Sequence, residues 1–181
     1  MRGFVSFANG INATRMEITS VASFLDYYER VRERTLRVIA IIPPSVLDWA
    51  YKPGKFTIAD VIRHIAATER YMFAENVAGS QSCYNGCGKE LADGYDAILA
   101  YMSEMHWQSI EIFRTLDNGA LQRKCITPGG EITTWKWLRA MIEHEIHHRG
   151  ELYIYLNLLD IATPPIFGLT AEEVQQRSLK S

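Results

Sequence analysis

Cysteine is scarce in this chain: Cys83, Cys87 and Cys125 are the only three among 181 residues. An odd number without a framework spacing means that no disulfide scaffold is needed to explain the fold. Cys83 and Cys87 enclose the short stretch CYNGCG. A C-x-x-x-C pair can hold a soft metal, but the usual structural-zinc knuckle is C-x-x-C and needs a second pair, so free thiols are the simpler reading. Charge of one sign is also lacking. A formal net charge of −2 offers no field for a polyphosphate backbone, and nucleic acid is not an expected partner. No apolar run reaches the roughly 18 residues of a membrane span, and the opening MRGFVSFANGINATRME has no apolar core followed by a cleavage pattern. A cytoplasmic protein that does not engage a membrane is the expectation. Repeats, low-complexity tracts and Pro/Gly-rich linkers are absent too, so residues 1–181 are expected to form one domain, large enough to bury about 70% of the surface its unfolded chain exposes.

Hydrophobic residues make up 48% of the chain and charged residues 22%, and the apolar positions recur with helical rather than alternating spacing. A first helix is expected over Ser20–Ile41, stopped by Pro43-Pro44. A second opens at Thr57, where T-I-A-D supplies a capping hydroxyl and an acid three positions on, and runs to about Val77. After a loop at residues 79–88, a third covers about Glu90–Leu116, with Leu91, Tyr95, Ile98, Leu99, Met102 and Met105 on its inner face. Residues 122–133 alternate around Pro-Gly-Gly as a small hairpin does. The fourth helix runs from Thr133 or Thr134 to about Leu159, and T-A-E-E at Thr170 opens a short last one. The expected fold class is all-α, an up-and-down four-helix bundle with a short C-terminal helix.

Three of the five histidines fall in EHEIHHRGEL, residues 143–152. At about 100° per residue, His148 lies in the stripe of Trp137, Met141, Leu152 and Tyr155, and His144 borders it one turn earlier. Two imidazoles at i and i+4 can reach one ion. His147 falls toward the polar edge. Such a cluster can also be a solvated helix face, but poorly solvated imidazoles on the inward side of a bundle are satisfied by a metal. His64 on the second helix shares a face with Val61, Thr68 and Tyr71 and supplies a third candidate ligand. His106 has no histidine or acid at i±4 and reads as a surface or helix-terminal histidine. Glu145 and Arg149 form a favourable i,i+4 pair that neutralises itself, with a role in orienting a ligand as the alternative.

His144 to His148 also spell H-E-x-x-H, the zinc-peptidase motif, in which the glutamate is the general base. The extension that would bring a third ligand from downstream is absent. No histidine follows His148, and the downstream glutamates are Glu151 on the same helix and Glu172 and Glu173 beyond Pro164-Pro165. No strand that could align a peptide precedes the motif, so peptidase is disfavoured.

LDWAYKPGKFTIADVIRHIAATER (47–70), HEIHHRGEL (144–152) with its H-x-x-x-H-R-G pattern, and LNLLDIATPPIFGLTAEEV (156–174) resemble the DinB/YfiT-like family, whereas SQSCYNGC (80–87) matches none of its pattern. The resemblance implies a four-helix bundle with three histidines, His64, His144 and His148 here, holding a divalent metal, zinc or nickel. Members with known activity include transferases that use the low-molecular-weight thiols bacillithiol or mycothiol, and a mycothiol-dependent isomerase. The implied function is therefore metal-dependent thiol transfer, with a small-molecule substrate and a low-molecular-weight thiol as partners. A metal-dependent hydrolase and a non-catalytic metal-binding bundle are the alternatives. Candidate catalytic residues are Glu145, Arg149 and Glu151. A homodimer is expected from Trp135, Leu138, Ile142, Ile146 and Tyr153, which widen the apolar arc of the fourth helix beyond what one core easily covers.

Overall fold

The computed structural model describes residues 17–179, so the N-terminal stretch read for an export signal lies almost entirely outside them. Helix α1 spans Val21–Ile39, and the Ser20 hydroxyl caps it by accepting from Ser23 N–H at 3.2 Å. Helix α2 begins with Ile58–Thr68, behind a reciprocal box in which Asp60 N–H donates to Thr57 Oγ1 at 3.0 Å and Thr57 N–H to Asp60 Oδ2 at 2.9 Å. It continues through a π-helical turn, Glu69–Ala74, and closes with Glu75–Val77. The end is where the periodicity places it. The π-turn has no counterpart in that reading.

Helix α3, Tyr95–Arg114, is shorter than the expected Glu90–Leu116. Gly94 sits at φ 85°, in the left-handed region, which an advancing helix cannot pass through. Leu91 therefore belongs to the incoming loop. Strands β1, Lys124–Thr127, and β2, Gly130–Thr133, form the expected antiparallel hairpin. Helix α4 spans Thr134–Leu158, and a short α5, Ala171–Ser178, starts from a second reciprocal box, Thr170 with Glu173.

The all-α four-helix bundle is as expected, but its course does not alternate. One end of the core collects Val21, Phe24 and Tyr28 of α1, Phe73 of α2, Ile110 and Phe113 of α3, and Trp135, Leu138 and Ile142 of α4. The other collects Val38 and Ile39 of α1, Ile58 to Ala66 of α2, Ile98 and Met102 of α3, and Leu152 and Leu156 of α4. Thus α1 and α4 run one way and α2 and α3 the other. The packed neighbours are α2 with α3 and α4, and α1 with α4 and α3. The order is up, down, down, up, because the connection between α2 and α3 returns along the bundle instead of turning at its end.

Residues 78–94 make that return, alongside a helix that at 1.5 Å per residue is about 30 Å long. Cys83 N–H donates to the Tyr71 carbonyl at 2.8 Å. Arg63, buried at 1% exposure, donates Nε to the Cys87 carbonyl at 2.7 Å and Nη1 to the Ala92 carbonyl at 2.9 Å, with Nη2 on Asp60 at 2.6 Å. All three nitrogens of this buried guanidinium are partnered, as an interior charge requires.

The parallel contact of α1 with α4 also accounts for part of the wide apolar arc. Trp135, Leu138 and Ile142 are buried within the chain, and each such side chain contributes about 1.5–3 kcal/mol by leaving water. Ile146 stays 38% exposed and Tyr153 is half-buried, so only part of the arc from which a homodimer is expected is covered within the chain.

Candidate metal centre

The antiparallel neighbours α2 and α4 bring His64, His144 and His148 together, and one ring nitrogen from each lies within 4.8 Å of the others. His64 Nε2 and His144 Nε2 are 3.1 Å apart. Ring centroids are separated by 5.0 Å for His64–His144, 4.6 Å for His64–His148 and 4.5 Å for His144–His148. Aromatic rings flank the cluster: the exposed Phe56 ring stands 5.3 Å from His64, and the buried Phe73 ring 5.7 Å from His144.

The imidazoles are held in place through their remaining nitrogens. His148 Nδ1 lies 2.9 Å from Glu151 Oε2, and Tyr155 Oη donates to Glu151 Oε1 at 2.8 Å. Glu151 is thus placed to orient a histidine. His64 Nδ1 lies 2.8 Å from Tyr84 Oη on the return loop. Burial, and then the like charge of His148, push the His64 pKa down to about 4. Burial, and then His148 and His64, push that of His144 down to about 3. At neutral pH these are uncharged imidazoles with lone pairs, the form that a metal binds. The donor set fits a divalent cation: three neutral nitrogens from two helices.

His147 is exposed and outside this cluster, as its direction on the helix predicts. Glu145 is buried but turns to α1, where its Oε2 is 3.1 Å from Arg32 Nη2. It pairs across helices and not with Arg149, which donates Nη1 to the Val31 carbonyl at 3.2 Å. The same guanidinium of Arg32 pairs with Glu69 and donates to Tyr28 Oη at 2.9 Å. His106 joins this interior network: its Nδ1 lies 2.8 Å from Glu69 and its Nε2 3.2 Å from Glu29. The reading of His106 as a surface histidine is therefore corrected. Its partners come from α1 and α2, which an i±4 search along its own helix does not reach. Tyr84 carries no periodic signal in the sequence, and only the course of the loop reveals it. The three thiols are unpaired, Cys83 exposed and Cys87 and Cys125 buried.

A family model described as the DinB superfamily matches residues 27–152. No curated protein matches the chain in sequence. Among solved structures, a DinB-like protein from Bacillus cereus superposes with a TM-score of 0.70 at 15% identity, covering 81% of this chain and 97% of its own. YfiT from Bacillus subtilis, described as a probable metal-dependent hydrolase with an unusual four-helix bundle topology, gives 0.60 at 18%, covering 78% and 89%. A mycothiol-dependent maleylpyruvate isomerase gives 0.56 at 14%, covering 75% and 63%. At these identities the structural likeness shows the fold.

Proposed function

The chain belongs to the DinB superfamily, and from that premise we propose that it is a metal-dependent transferase that uses a low-molecular-weight thiol, with His64, His144 and His148 holding one divalent ion, zinc or nickel. The observation that carries the reading is the convergence of three neutral imidazole nitrogens within 4.8 Å. A divalent cation bound there supplies Lewis acidity, which lowers the pKa of a coordinated thiol into the neutral range. The protein's own work is to orient the imidazoles, through Glu151 on His148 and Tyr84 on His64, with the Phe56 ring beside His64 and the buried Phe73 ring beside His144.

A second reading is hydrolysis, since one structural neighbour, YfiT, is described as a probable metal-dependent hydrolase. It needs a general base beside the ion. Glu145 faces Arg32, and both oxygens of Glu151 already accept from His148 and Tyr155. This occupancy leaves neither carboxylate free to act as that base and so weighs against hydrolysis; a thiol, whose pKa a bound cation would lower, would have less need of one. The test is a panel of physiological thiols with a model electrophile, run on metal-loaded and metal-stripped protein beside a generic peptidase assay. Conjugation with one thiol, only when metal is present, is the expected result. Peptide cleavage that Glu145→Gln abolishes overturns it.

A further inference from the structure

His64 and His148 face the same problem. For Nε2 of a neutral imidazole to offer a lone pair, the proton must sit on Nδ1, and Nδ1–H must find an acceptor. His148 finds one on its own helix, three residues on, in Glu151. The corresponding positions after His64 are Ala67 and Thr68, and the Thr68 hydroxyl turns to the His64 carbonyl at 2.6 Å and makes no hydrogen bond to the ring. Helix α2 thus supplies His64 with no side-chain acceptor. The return loop does, with Tyr84 Oη at 2.8 Å and its ring edge-on to the imidazole at 5.6 Å and 76°.

That placement is built rather than incidental. Upstream of Tyr84, Cys83 N–H and the Ser82 hydroxyl both donate to the Tyr71 carbonyl in the π-helical turn, at 2.8 and 3.3 Å. Downstream, Arg63 clamps the Cys87 and Ala92 carbonyls. Arg63 immediately precedes His64, so one turn of α2 both presents the imidazole and anchors the loop that orients it. We infer that Tyr84 is a positioning residue of the metal centre: its oxygen accepts the Nδ1 proton of His64 and holds the tautomer whose Nε2 faces His144 and His148. The return loop is thereby part of the site.

The inference rests on the three-histidine reading, and Tyr84→Phe separates the two. The first readout is long-range proton–nitrogen NMR of the histidine rings in metal-free protein. His64 should be the Nδ1–H tautomer in the parent and shift toward Nε2–H in the variant. The second is Zn(II) affinity by competition with a chromophoric chelator, expected to fall about 10- to 100-fold. The third is thermal unfolding of the metal-free protein, expected to be unchanged. An unaltered tautomer, an unaltered affinity, or an affinity loss matched by a lower metal-free unfolding temperature each overturns the role. If the parent takes up no Zn(II), the metal reading fails, and the NMR comparison alone still decides whether Tyr84 sets the tautomer.

Discussion

Arg32→Met isolates what the interior ion network does for this fold. Arg32 is 2% exposed and joins Glu69, Glu145 and Tyr28. With the guanidinium gone, Glu69 keeps His106 at 2.8 Å. Glu145 keeps only the longer-range attraction of Arg149, since neither of its oxygens has a hydrogen-bond partner and it is itself 2% exposed. Stranding one buried carboxylate costs roughly 3–5 kcal/mol, against a total stability of about 5–15 kcal/mol. For a chain of this size each kcal/mol moves the midpoint by roughly 2–4 °C, so the variant should melt about 6–20 °C lower. Adding Glu145→Leu removes the stranded charge, and the double variant should regain most of the loss. A urea double-mutant cycle measures the coupling. If Arg32→Met costs less than about 1 kcal/mol, or if the two losses simply add, Glu145 is not held by Arg32. In that case its carboxylate becomes available for chemistry again.

His64→Ala, His144→Ala and His148→Ala should each lose the bound divalent ion by elemental analysis, while His147→Ala keeps it; retention in all three would end the metal assignment. Stability of the metal-free protein should depend on acid through the same histidines. With folded pKa values of about 4 for His64 and about 3 for His144 against 6.5 unfolded, the unfolded chain takes up protons that the folded one refuses. Their contribution is therefore flat above pH 6.5 and becomes destabilising as pH falls toward the folded values. Urea midpoints from about pH 7.5 to about pH 4.5 should drop, and drop less in His64→Ala; identical slopes would contradict the burial of these rings.

Much of this was legible in the sequence wherever a local rule governs. The Thr57–Asp60 and Thr170–Glu173 boxes each act within one helical turn, and each forms as read. His144 and His148 share a turn of one helix, so their proximity follows from helical geometry, and His64 follows from which face of α2 is apolar. The misses are all non-local. Gly94 shortens α3 through a backbone angle that periodicity does not register. Glu145 and His106 choose partners on other helices, and Tyr84 reaches His64 because of a loop path. The parallel pairing of α2 with α3 is likewise a property of that path, and binary patterning is the same for either helix direction.

The pairing of α1 with α4 bears on how the molecule is made. Arg149 meets Val31 across 118 positions of sequence, and the Trp135 end of α4 shares a core with Phe24. Contacts of such span are slow to close, so this bundle cannot zip up from neighbouring hairpins as an alternating one can. During synthesis α1, α2 and α3 emerge with one side of their core open, and docking of α4 completes it. That helix also carries two of the three clustered histidines. Until it docks, His64 stands apart from the His144–His148 pair, so the three-nitrogen set is assembled in the same event that completes folding.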